Sequence, residues 1–291
     1  VSILQAILLG IIQGLSEFLP ISSTAHLTVA GKLLGLVQGE QPEAWTAFIA
    51  VMQLGTMASI VIYFFKDLWS ITISFFKDVF SNGGGRGISG YSRDSALAFY
   101  IFIGTVPVAV VGYSFNDVIE GEMTKNLLVI AYSMVLFALF LWLAEKSEHH
   151  TRTLSDVTWK DALVIGLAQV LALIPGASRS GTTITAGMLL GMKRGAAARF
   201  SFLLSVPAVL ASGFLELFKV SSMLQAEEHV LHFSALNLVV ATVVACVSGY
   251  VAIAWLLSYL IKHTTMSLVW YRIVFGVLML AMIAGGIISS P

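Results

Sequence analysis

Six apolar runs, most of them about twenty residues long, dominate this sequence, at about 44–65, 95–115, 127–144, 198–218, 236–260 and 268–288. A helix rises about 1.5 Å per residue, so each run can cross a hydrocarbon core of about 30 Å. Charge content closes off the other classes. Charged types make up 11% of the 291 residues, and mean hydropathy is +0.89; a soluble domain carries about 25% charge. A water-facing globular enzyme and a disordered chain are both excluded. Net charge is zero, so no basic surplus points to nucleic acid. The lone cysteine, Cys246, lies in an apolar run, which excludes an intrachain disulfide framework and a cysteine-cluster metal site. The first residues lack the basic n-region of a cleavable signal.

Two more stretches, 1–36 and 160–192, are apolar but broken in the middle. The first break carries Glu17-Phe18-Leu19-Pro20-Ile21-Ser22-Ser23-Thr24, the second Pro175-Gly176-Ala177-Ser178-Arg179-Ser180-Gly181. Backbone broken at membrane depth must be buried in protein or line a wet cavity. The expected fold is an all-α integral membrane protein of six transmembrane helices plus two re-entrant helix-loop-helix hairpins.

The hairpins resemble each other. Ala6, Gly10, Gln13 and Leu15 have the spacing of Ala162, Gly166, Gln169 and Leu171, and each hairpin has a serine three residues beyond its proline, Ser23 and Ser178. Thr105-Val106-Pro107 is echoed by Ser205-Val206-Pro207. The chain reads as one polytopic domain, 1–291, built from repeats of about 1–144 and 160–288. With six spans, 11 of the 16 basic residues fall on one side (Lys66, Lys77, Arg86, Arg93, Lys146, Arg152, Lys160, Lys193, Arg194, Arg199, Lys262) and 3 on the other (Lys32, Lys125, Lys219). The basic-rich side is cytoplasmic. Both termini and the first hairpin then face outward, the second hairpin enters from the cytoplasm, and the copies form an inverted-topology repeat whose loops meet near the midplane. Arg179 and Arg272 are left as intramembrane or boundary cases. The amphipathic, aromatic stretch 66–80 reads as an interfacial helix, and Asn82-Gly83-Gly84-Gly85 as a flexible connection.

Chemistry concentrates in the two breaks. A carboxylate inside a membrane segment costs about 2.5–3.5 kcal/mol on insertion scales, so Glu17 needs a partner, a cation or a wet cavity. Gln13, four residues earlier, shares its helix face, and together they offer oxygen ligands suited to Mg²⁺ or Ca²⁺. A helix starting near Ser22 would form an anion site from N–H groups and the hydroxyls of Ser22, Ser23 and Thr24. His26, three residues after Ser23, is spaced to exchange a proton with a hydroxyl or a leaving oxygen. Arg179 presents a planar fork of donors that matches phosphate, among the hydroxyls of Ser178, Ser180, Thr182 and Thr183. The structural alternative is an Arg179–Glu17 ion pair that holds the hairpins together. Other features carry less. Glu227-Glu228-His229 with His232 reads as a solvated outer loop, His149-His150 as a solvated cytoplasmic loop, and Glu216 as an interfacial anchor or a cavity-lining group. Such a site suits a phosphate group attached to a lipid-soluble body.

The stretch Gln13-x3-Glu17-Phe18-Leu19-Pro20-Ile21-Ser22-Ser23-Thr24-Ala25-His26 resembles the glutamate-rich motif of the undecaprenyl-diphosphate phosphatase (bacitracin-resistance) family. The stretch 175–183 resembles that family's second motif, and Arg199-Phe200-Ser201-Phe202-Leu203-Leu204-Ser205-Val206-Pro207 is also similar. The resemblance implies a bacterial inner-membrane enzyme that hydrolyses undecaprenyl diphosphate to the monophosphate. It would thereby recycle the carrier lipid of peptidoglycan and other envelope polymers, with bacitracin resistance as a consequence. It implies a divalent cation, Mg²⁺ or Ca²⁺, and functional positions at Glu17, Ser23, His26 and Arg179, supported by Ser22, Thr24, Ser178 and Ser180. The family motif admits Glu or Gln at its first position; Gln13 is neutral and unsuited to acid–base work. Ser23 attack on phosphorus and direct water attack both remain open, as does a homodimer. The competing functional reading is an inverted-repeat transporter of a phosphate-bearing lipid or organic anion. The Ser-x2-His pair beside Glu17 favours chemistry.

Overall fold

The computed structural model describes residues 1–36, 42–81, 90–115, 126–147, 150–226 and 234–288. The 82–85 connection, Arg86, Lys125, His149 and the 227–232 cluster lie outside the described residues, as do the side chains of Glu216 and Lys219. Eleven α-helices run through the described chain: α1 Ile3–Phe18, α2 Ser23–Leu33, α3 Pro42–Tyr63, α4 Phe65–Ser81, α5 Arg93–Ser114, α6 Leu127–Lys146, α7 Trp159–Val170, α8 Arg179–Leu189, α9 Arg194–Ala226, α10 Ala235–Lys262 and α11 Met266–Ala284. Five of them, α5, α6, α9, α10 and α11, are long and apolar enough to cross a membrane. Helices α3 and α4 meet that standard jointly but bend by 69° at Phe64, which brings the count to six if the pair is one span. The expected helix over 66–80 is α4, with Phe65, Trp69, Phe76 and Phe80 exposed.

Helices α1 and α2, and again α7 and α8, are the expected broken segments. Ser22 (φ 73°) and Ser178 (φ 71°) precede α2 and α8 in the same unusual left-handed conformation. The Ser22 hydroxyl accepts from the Ala25 N–H, and the Ser178 hydroxyl from the Gly181 N–H. Each residue of the second pair carries a number 156 above its counterpart: Gln13 and Gln169, Ser22 and Ser178, Ser23 and Arg179. Counting from the prolines had matched Ser23 with Ser178. The helix starts set the register one residue earlier, because α7 passes into a 3-10 turn at Leu171–Leu173 and reaches its proline sooner.

Glycine lets these short helices sit against the long ones. A Cβ on Gly14 would lie 2.6 Å from the Ala245 carbonyl oxygen of α10, and one on Gly166 would lie 2.3 Å from the Gly104 carbonyl oxygen of α5. Backbones approach this closely at small residues, the usual way membrane helices pack. So α1 rests on α10 and α7 on α5, each broken segment seated on a helix from the other half of the chain. Ion pairs gather where α4, α7 and α9 start and α6 ends: Arg199–Asp67 at 2.6 Å, Arg152–Asp161 at 2.6 Å, and Arg194–Glu145. The Glu145 carboxylate also accepts from the Thr265 N–H at 3.0 Å, which ties in the start of α11.

Candidate active site

Glu17 sits in the last turn of α1, four residues after Gln13, and its carboxylate is the junction of the site. Oε2 accepts the Ser23 hydroxyl at 2.8 Å and the Gln13 amide at 3.3 Å, while Oε1 accepts Arg179 Nη2 at 3.1 Å. Two residues separated by 162 positions thus form one ion pair between the breaks. Both side chains keep 18% of their surface exposed. They are therefore largely dehydrated, which strengthens their attraction, yet open to a ligand. The exposed part faces a cavity of about 380 Å³. Its polar wall includes Glu17, Ser22, Ser23, Thr24, Ser178 and Arg179; its apolar wall includes Met57, Val108, Leu173, Ile174, Ala208 and Val209.

Helices α2 and α8 start at this polar wall. The first N–H groups of a helix have no partner within it, and the helix dipole adds partial positive charge there. Two such starts, an arginine and several hydroxyls suit an anion with many acceptor oxygens.

Not every expected residue opens onto the cavity. Ser180 donates to the Leu19 carbonyl at 3.1 Å and Thr182 to the Arg179 carbonyl at 3.0 Å. Both are buried, so they shape the breaks and do not meet a ligand directly. Gln13 is fully buried behind Glu17. The larger departure is His26. Its Nδ1 bonds the Ser22 carbonyl at 2.7 Å and its Nε2 the Tyr271 hydroxyl at 2.6 Å. The expected Ser23–His26 pairing is replaced by Ser23–Glu17, because the imidazole swings toward α11 and stacks on Phe275 at 4.2 Å.

Sequence reasoning missed three partners. Thr56 of α3 receives the Gln13 amide at 3.5 Å and lines the cavity; an ordinary hydroxyl within an apolar run gives no signal. Tyr271, inside the 268–288 apolar run, carries no signal of its own. Arg272, left as a boundary case, is fully buried. It donates to Pro20 O at 2.9 Å in the first break, to Gly176 O at 3.0 Å and Ala177 O at 2.9 Å in the second, and to Met134 O at 3.2 Å. One guanidinium therefore holds both breaks by their backbone carbonyls. An ammonium cannot span four carbonyls on three segments. Arg272→Lys is expected to destabilise the protein by about 2–4 kcal/mol, the cost of leaving buried carbonyls unpaired. Thermal unfolding in detergent measures this; an unchanged melting temperature would show that the clamp does not hold the breaks.

The chain matches the family model described as bacitracin resistance protein BacA over residues 6–278. It is similar to the undecaprenyl-diphosphatase of Syntrophobacter fumaroxidans, with 49% identity over 97% of this chain and 98% of the relative. It is likewise similar to those of Chloroherpeton thalassium (48%; 98% of each chain) and Myxococcus xanthus (46%; 99% of this chain, 91% of the relative).

Proposed function

The chain belongs to the bacitracin resistance protein BacA family, and we propose from that membership and from the Glu17–Ser23–Arg179 cluster that it hydrolyses undecaprenyl diphosphate. The products are undecaprenyl phosphate and inorganic phosphate. The observation that carries this reading is the Glu17 carboxylate, which accepts the Ser23 hydroxyl and the Arg179 guanidinium at once beside a half-apolar cavity. An anion transporter has no need of a hydroxyl held on a carboxylate.

Ser23 Oγ attacks the terminal phosphorus and its proton passes to Glu17 Oε2. The bond from that phosphorus to the bridging oxygen breaks, and undecaprenyl phosphate leaves. Charge spreads over the phosphoryl oxygens in a loose transition state. Arg179 and the first N–H groups of α2 and α8 are already aimed there, at no reorganisation cost. Glu17 then loses its proton to solvent. Water attacks the phosphoserine, its proton passes through Glu17 to the departing Ser23 oxygen, and phosphate is released. The first units of the prenyl chain lie along Met57, Val108, Ala208 and Val209.

A divalent cation fits this site in one mode. Among the described residues no three His, Cys, Asp or Glu side chains cluster for a metal. The Gln13 amide oxygen is nevertheless buried without a protein partner, next to a carboxylate. Mg²⁺ is commonly held by one or two carboxylates plus substrate phosphates, so Glu17 and Gln13 would hold it together with the diphosphate. When bound, it would neutralise phosphate charge. Phosphate release from a C55 or C15 diphosphate by purified protein is the test. Release is expected, and EDTA should lower it by about tenfold or more. Absence of release with every metal would sink the enzyme, and EDTA-insensitive release would sink the cation.

The 156-residue correspondence supports an internal repeat, and the 11-to-3 basic asymmetry supports an orientation with the first hairpin and both termini outward, which makes the repeat an inverted one. A Thr24→Cys variant, exposed at the cavity wall, labelled in intact cells by an impermeant reagent fits this orientation. Labelling that requires access from the inner face reverses it.

A further inference from the structure

We propose that His26 is a positioning residue, set by Tyr271, that fixes the Ser22–Ser23 peptide, and that it carries no proton in the reaction. The Ser22 carbonyl can only accept, so His26 Nδ1 at 2.7 Å must donate. In the neutral ring Nε2 is then an acceptor, and the Tyr271 hydroxyl at 2.6 Å donates to it. The Ser22 carbonyl thus selects the tautomer, and Tyr271 completes it from the other edge of the ring. Phe275 stacks on one face of the ring at 4.2 Å and 15°, while Tyr271 lies at its Nε2 edge, nearly coplanar, with centroids 5.6 Å apart and an interplanar angle of 8°. Both nitrogens are occupied, and neither bonds Ser23 or Glu17.

The bonded carbonyl belongs to Ser22, whose φ of 73° is unfavourable for a side-chain-bearing residue. Such a conformation persists only where the surroundings over-determine it. The His26 N–H does so from one side, and Arg272 on the Pro20 carbonyl from the other. A trans peptide points its C=O and N–H in opposite directions. With the Ser22 carbonyl held along α2 by the His26 ring at 2.7 Å and, more weakly, by the His26 main-chain N–H at 3.4 Å, the Ser23 N–H points back out of the helix start. The Ser23 hydroxyl is left one residue away, where it meets Glu17. The adjacent residues Tyr271 and Arg272 of α11 therefore set both sides of the first break.

The proposal rests on the phosphatase reading for its kinetic arm and is independent of it for its spectroscopic arm. Asparagine places an N–H donor where His26 has Nδ1, whereas glutamine places one nearer Nε2. His26→Asn is expected to keep phosphate release from a C15 diphosphate within about tenfold of the native rate, and His26→Gln to lose about a hundredfold or more. Tyr271→Phe should lower kcat about tenfold or less without moving the pH dependence of kcat. Separately, nitrogen NMR of imidazole-labelled protein should find His26 as the Nδ1–H tautomer in the native protein and in Tyr271→Phe alike, because the Ser22 carbonyl fixes it. Equal inactivation by Asn and Gln in variants that melt like native protein would overturn the proposal. So would a Tyr271→Phe profile with a displaced limb, or a native His26 in the Nε2–H form. Failure of native protein to release phosphate would fall on the phosphatase reading, leaving the tautomer measurement to decide this one.

Discussion

Ser23→Ala is expected to reduce turnover at least about a thousandfold, because in the proposed mechanism it removes the attacking atom. The magnitude separates the two mechanisms. If water attacked phosphorus directly, Ser23 would contribute one hydrogen bond, about 1–3 kcal/mol, or roughly 5–150-fold in rate. The structure favours the serine route on one point: the Ser23 O–H is already committed to Glu17 Oε2 at 2.8 Å, the first contact of a nucleophile with its base. Single-turnover reaction with terminally ³²P-labelled diphosphate, quenched in acid, should leave label on a peptide containing Ser23. A Ser23→Ala protein that keeps a tenth of native turnover, with no label on native protein, would leave Glu17 as base for water. Both readouts use the folded full-length chain, so loss of fold is checked by melting in the same detergent.

Much of this architecture was legible because it follows from hydrophobic length and from backbone satisfaction. The long apolar runs at 95–115, 127–144, 236–260 and 268–288 emerge as α5, α6, α10 and α11 with ends within about four residues. The breaks were legible for a related reason: proline, serine and glycine amid apolar sequence leave unpaired N–H and C=O groups that need a polar lining. The meeting of Glu17 and Arg179 follows as well, since an isolated charge at that depth is more costly than a paired one.

What could not be read was direction. His26 has two nitrogens, and sequence spacing shows that it can reach the first turn but not which way the ring swings; Tyr271 and Phe275, 245 residues and more away, decide that. Arg272 illustrates the other limit. An arginine in an apolar run demands partners, but its partners are carbonyls of breaks about a hundred and about two hundred and fifty residues distant, which carry no sequence signature. Ser180 and Thr182 lie buried on backbone carbonyls for a simpler reason. A hydroxyl near an arginine suggests a ligand, yet a helix start also consumes hydroxyls on its own carbonyls.

Arg179→Ala is expected to lower kcat/KM by about two to three orders of magnitude, and Arg179→Lys to recover less than about tenfold of that loss. Lysine restores the charge but not the planar, spaced fork of donors, so it cannot meet Glu17 and a phosphate with the same bidentate geometry. The rival view makes the pair a structural tie between the breaks. Removing one member then leaves the other charge stranded, a loss of about 3–5 kcal/mol of stability, and removing both relieves it. A double-mutant cycle with Glu17→Gln decides between them. Under the structural view the Glu17→Gln, Arg179→Ala double variant regains much of the activity lost by either single variant. Under the mechanism proposed here it stays inactive even where its melting temperature recovers, because the base for Ser23 and the cation for phosphate are both gone. Recovered stability with recovered turnover would therefore refute the assignment of these two residues to the chemistry.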